Sequence, residues 1–288
     1  MQVGKNNGSL KQNTMKNKFK ILYTLLGLTL LFSACTPDKY ELGPMLSKSD
    51  LLFTVTQDAS NPNIFVLNSE TPNAQPYWVT PVGTSTRLTD TIDIPFPGKD
   101  TIYYSVESPG GIVTADPYVF DVTTIDAAYV SDSMWIYLTG GMDKSKTWVL
   151  DLDANGVSKY FQSPVYFGGT GWEWDPAWTD IPWANIPAGD YGTMTFDLIG
   201  NANFTSDNKM FPELSGTGKF MLFPGKSELI TYGAQVLHGH GQGDNVANWF
   251  AKMKVKSIGK DHLQLIAYKD ADNWIIYNYI TKDYYDSH

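Results

Sequence analysis

The chain has 288 residues, of which 14% are aromatic and only 18% charged, with 25 glycines, 16 prolines and one cysteine. That balance suits strands joined by tight turns more than helices, and a lone cysteine excludes an internal disulfide. The formal charge is −9, but Lys5, Lys11, Lys16, Lys18 and Lys20 precede residue 35 with no acid among them, so the remainder carries −14. So acidic a surface repels nucleic acid and anionic lipid, and both are set aside as partners.

Residues 1–34 read as a lipoprotein signal peptide. Lys16, Lys18 and Lys20 form a basic start, and the apolar run Ile21–Phe32 is too short to span a bilayer. It closes on Leu31-Phe32-Ser33-Ala34-Cys35, which resembles the lipobox of bacterial lipoproteins. The resemblance implies cleavage before Cys35 and lipidation of its sulfur, with the acyl chains as the only membrane attachment. Residues 35–46 follow as a tether, and Asp38 and Glu41 resemble the surface-export signal of Bacteroidetes lipoproteins.

The first folded unit is expected over 47–126. Leu51–Val55, Ile64–Leu67 and Thr101–Val106 are strand-length runs, separated by the turn signals Asn61-Pro62-Asn63, Pro97-Gly98-Lys99-Asp100 and Pro109-Gly110-Gly111. Trp78 is the expected core plug of a small sandwich. The stretch Pro97–Val122 resembles the closing hairpin of the PKD family of Ig-like modules. Val79-Thr80-Pro81-Val82-Gly83 stands where that family has an acidic motif.

The second unit is expected over 130–288. Trp135–Leu138 and Lys146–Leu152 read as strands joined through Gly140-Gly141. Tyr191–Ile199, Lys219–Phe223, the alternating Trp249–Val255, Leu263–Tyr268 and Trp274–Ile280 complete a strand count suited to a two-sheet jelly roll. The predicted class is therefore all-β, an N-terminal PKD/Ig-like β-sandwich followed by a jelly-roll β-sandwich.

Between these strands lies Gly171–Pro187, which holds Trp172, Trp174, Trp178 and Trp183 beside Glu173, Asp175 and Asp180. Pro176 and Pro182 argue against a central strand or helix, leaving a structured loop with strand fragments. Tryptophans on a loop are candidate ligand contacts; their alternative role is to plug the end of a core. These four indoles are the candidate stacking surface, and the three carboxylates are candidate acceptors for hydroxyl groups.

Three constellations compete with that reading. Asp151-Leu152-Asp153-Ala154-Asn155-Gly156 matches the start of a calcium loop, yet its twelfth position is Gln162, and an Asn-Gly turn explains it equally well. His238-Gly239-His240 would put two imidazoles on one strand face near Asp244, without a third strong ligand. Glu173-Trp174-Asp175 resembles the signature of laminarinase-type glycoside hydrolases, but its third acid is replaced by Trp178. No catalytic residue, metal or cofactor is therefore expected.

The second unit resembles a module of surface lipoproteins from Bacteroidetes polysaccharide-utilisation loci. The residues that carry this are Lys146–Asp151, Tyr191–Asp197, Leu237–His240 and Trp274–Ile280. The resemblance implies a non-catalytic glycan-binding lipoprotein on the outer-membrane surface, working with a SusC/SusD-like importer. A structural or peptide-binding accessory of that importer is the second reading, and a glycoside hydrolase the third.

Overall fold

The computed structural model describes residues 43–249 and 252–288. The expected signal peptide and Cys35 lie outside the described residues. The protein is all-β, with its buried apolar residues gathered into two cores, one between Leu51 and Val122 and one between Val130 and Tyr279.

The first core is held between two sheets. Strands β1 (Phe53–Gln57), β2 (Ile64–Ser69) and β5 (Thr89–Asp93) form one; β3 (Gln75–Thr80), β4 (Gly83–Ser85), β6 (Gly98–Ser108), β7 (Gly111–Thr114) and β8 (Tyr118–Val122) form the other. Trp78 is fully buried between them, its ring against Phe53 and Tyr104. Strands β7 and β8 pair with successive halves of β6, and their register slips by one residue across Asp116-Pro117. Pro117 has no N–H to continue the ladder, so the interruption falls where the chain cannot donate.

The second core fills a closed barrel. Eight antiparallel strands follow one another around it: β9 (Ser145–Leu150), β12 (Gly192–Asp197), β13 (Asn203–Asn208), β14 (Gly216–Phe223), β15 (Glu228–Tyr232), β16 (Met253–Ile258), β17 (His262–Tyr268) and β18 (Asn273–Thr281). Pairing of Tyr279 with Leu150 and Thr281 with Trp148 closes the ring. This replaces the expected two-sheet jelly roll. Every barrel strand neighbours the next one along the ring, and β18 spends its C-terminal end on β9, so no free edge is left there. Trp148, Met194, Phe196, Phe204, Phe220, Leu222, Leu265 and Tyr279 point inward and are buried.

Three local expectations also fail. The turn expected at Pro97-Gly98-Lys99-Asp100 is instead the start of β6, which begins at Gly98. Trp135–Leu138 lies in helix α1 (Ser133–Thr139), not a strand. Asp132 caps it by accepting from the Met134 N–H, Gly140 ends it at φ 89°, and Trp135, Leu138 and Thr139 bury one helical face. Trp249 is not in β16, which begins at Met253; its indole lies flat on His238, centroids 3.8 Å apart.

Helix α1 sits at the barrel end next to the sandwich. There Phe96 meets Trp135 and Tyr129, and the Asn201 side chain donates to the Pro97 carbonyl at 2.8 Å. A short helix α2 (Lys282–Ser287) closes the chain.

Candidate ligand-binding site

The end of the barrel opposite the sandwich is splayed. Strand β18 is nine residues long, and β9 covers only its C-terminal part; the N-terminal part pairs with β10 (Val165–Gly169), which carries β11 (Trp172–Trp174) on its outer edge. Asn278 makes the branch. Its N–H donates to the Pro164 carbonyl, its carbonyl accepts from Asp151, and its side-chain amide donates to the Ser163 carbonyl.

Trp172 and Trp174 are two residues apart on β11 and share one face with Phe167 of β10. Trp183 comes from a single 3-10 turn, Pro182–Ala184, and lies over Phe167 with centroids 5.0 Å apart. The Trp174 and Trp183 planes are parallel within 10°, with centroids 6.4 Å apart. All three indoles are about half exposed, at 45%, 44% and 54%. With Trp274, Gly168, Lys269, Asp270 and Asn273 they line a cleft of about 410 Å³.

Glycines make this arrangement possible. A Cβ at Gly168 would overlap the Trp274 indole, and one at Gly169 would overlap both Trp172 and the Asp272 carbonyl. The rings lie directly on backbone. Two neighbouring hairpin tips are tied together as well: the Thr170 N–H donates to the Asp272 carbonyl and its hydroxyl to the Asp272 carboxylate, at 3.2 and 3.0 Å. Asp270 accepts from the Asp272 N–H at 2.8 Å and from the Asn273 amide, which holds its carboxyl below the usual range. Lys269 donates to Gln242 at 3.0 Å, and Gly241 packs on the carbonyls of Ala184 and Asn185 beneath Trp183. The cleft is therefore built before any ligand arrives.

The structure brings together three of the four predicted tryptophans and separates the rest. Trp178 is turned inward; it packs over Gly156 and against the barrel core, and its indole N–H donates to the Ile186 carbonyl at 3.1 Å. Glu173 lies on the opposite face of β11, bound to Lys256 at 2.8 Å. Asp175 and Asp180 are exposed outside the cleft lining. The polar groups that do line it, Lys269, Asp270 and Asn273, come from the turn between β17 and β18 and the first residue of β18. Their Asp-Ala-Asp-Asn sequence reads as a turn alone, and only the β10–β18 pairing places it beside the indoles.

The rival constellations are engaged elsewhere. The Asp151 carboxylate is buried and accepts the N–H groups of Lys159, Tyr160 and Phe161, while Asp153 accepts from Asn155 and Val157 in a tight turn. Both carboxylates thus organise backbone. His238 and His240 do not share a face: His238 is buried between Gln235 and the Gly239 carbonyl, and burial pushes its imidazole down to about 4. His240 is exposed between Asp244 and Glu213, at 2.9 and 2.8 Å, and these carboxylates raise its pKa. Among the described residues, no three His, Cys, Asp or Glu side chains group as a metal site.

No protein-family model matches the chain, and no curated protein matches its sequence.

Proposed function

We propose that the protein captures a carbohydrate on the Trp172–Trp174–Trp183 cleft without cleaving it. The observation that carries this reading is three half-exposed indoles fixed on glycine backbone around one cleft, two of them with parallel planes. Broad apolar ring faces flanked by a few polar groups suit the C–H faces and hydroxyls of sugar rings. Glu173 is bound to Lys256 on the opposite face of β11 and Asp175 lies outside the cleft lining, so neither acid of the Glu173-Trp174-Asp175 triplet faces the cleft for hydrolysis.

In this reading Cys35 anchors the chain to the outer membrane and the N-terminal unit is a PKD/Ig-like spacer. The pairing of β1-β2-β5 against β4-β3-β6-β7 supports the Ig-like assignment. The spacer meets the barrel at the end opposite the cleft, which leaves the cleft open to serve a SusC/SusD-like importer.

A second reading, an accessory lipoprotein that docks on another protein, draws on the outer face of the sandwich. Tyr77, Val79, Tyr103, Ile112 and Val119 are exposed there on neighbouring strands.

The test is affinity electrophoresis of Trp172→Ala, Trp174→Ala and Trp183→Ala against a polysaccharide panel, with melting curves alongside. Each loss of a stacked ring is expected to weaken retention about tenfold or more, by analogy with base stacking on aromatics. Unchanged retention in all three variants would refute the reading.

A further inference from the structure

Resting on the carbohydrate reading, we infer that the cleft selects uncharged glycans whose hydroxyls donate hydrogen bonds, and rejects glycans carrying acidic groups. The hydrogen-bond polarity of the lining points this way. Both bonds from the Asn273 side chain run from its amide nitrogen to Asp270, so its amide oxygen is the atom left to offer a ligand. Asp270 adds a carboxylate whose pKa is held below the usual range, because the Asp272 N–H and the Asn273 amide stabilise its charge. Both groups accept; a sugar hydroxyl donates to them, and an ionised carboxylate or sulfate cannot.

The charges agree. Lys269 is the one cation lining the cleft among the described residues; it donates to the neutral Gln242 amide and its charge acts on the adjacent Asp270 carboxylate, while Asp272 is exposed. Lys256 is already bound to Glu173 on the opposite face of β11. An acidic substituent therefore meets Lys269 only together with the Asp270 carboxylate beside it. The indole faces oppose it as well, since the face of an aromatic ring is the negative end of its quadrupole. Beyond the cleft, the chain after residue 34 carries a formal −14, which slows the approach of any polyanion.

The experiment uses the full chain in non-ionic detergent. It is run through gels containing hydroxyethylcellulose, galactomannan or mixed-linkage β-glucan, then through gels with polygalacturonate or alginate. The neutral polymer that retards it best is oxidised at a fraction of its primary alcohols to carboxylates and tested again. Retention should fall about tenfold or more at low salt, the size expected for one like-charge contact near a surface. It should recover partly as ionic strength rises, and Asp270→Asn should narrow the gap. Equal or stronger retention on the oxidised polymer, or a gap that neither salt nor Asp270→Asn alters, overturns the inference. Retention on polygalacturonate or alginate alone, lost in Trp174→Ala, also overturns it while sparing the carbohydrate reading. Retention on none of the polymers removes both.

Discussion

Asp93 sits near the junction of sandwich and barrel with one carboxylate oxygen buried and unpartnered. Burial, with the negative Asp126 nearby, pushes its carboxyl up to about 6. An aspartate in the unfolded chain titrates at about 3.9, so above pH 6 the folded protein holds an ionised carboxylate in a place that disfavours it. Between pH 6 and about 4 the folded state binds a proton that the unfolded state does not. Asp93 therefore contributes stability as pH falls through 6, and that contribution is lost as pH rises through it. A carboxyl raised this far corresponds to about 3 kcal/mol, and solvent screening at this partly exposed site leaves about 1–2 kcal/mol. Asp93→Asn keeps the shape and removes the charge. It should stabilise the protein by about that amount near pH ~7.5 and by almost nothing near pH ~4, read from denaturant or thermal unfolding at both pH values. A variant destabilised more at pH ~7.5 than at pH ~4 would show that the carboxylate is held by favourable interactions and not merely tolerated.

Trp178→Ala should lower stability by about 2–4 kcal/mol, because it empties space over Gly156 and leaves the Ile186 carbonyl unpartnered; Trp174→Ala, at the surface, should change it by less than about 1 kcal/mol. Parallel melts of the two variants check the contrast. Gly169→Ala should weaken carbohydrate retention while leaving the near-sandwich end folded, since its Cβ would displace Trp172 and the Asp272 carbonyl; wild-type retention would show that the glycine floor is not required. Asp151→Ala should cost about 2–4 kcal/mol, as three backbone N–H groups lose their buried acceptor, and a melt at neutral pH measures it. Cys35→Ala should abolish incorporation of labelled fatty acid in a bacterial host, and a variant that still carries the label would sink the lipid anchor.

Much of the local structure was legible in the residues. Alternation of apolar and polar side chains placed β16 within a few positions, and strand-length apolar runs placed β17 and β18, the latter buried on both faces. The turns at Asn61-Pro62-Asn63 and Pro109-Gly110-Gly111, and Trp78 as a plug, followed from backbone chemistry and ring size. The tryptophan-rich stretch stood out because Pro176 and Pro182 forbid regular structure where four indoles crowd together. Helix α1 was legible too, through Asp132, Gly140 and the spacing of Trp135 and Leu138, but its β-rich composition outweighed those signals.

Closure of the second unit was decided by tertiary structure alone. Strand propensity is the same in a jelly roll and an up-and-down barrel; the difference is which strand meets β9, and that is set by contact between residues far apart in the chain, such as Leu150 and Tyr279. The composition of the cleft was decided the same way. Neighbours in sequence, Glu173 and Trp174, point to opposite faces of β11, while Asp270 and Asn273 reach the indoles only because β18 extends past β9 to pair with β10. Sequence determined which residues had to be aromatic, rigid or turning. Which of them share one surface depends on strand register, and register is a property of the assembled sheet.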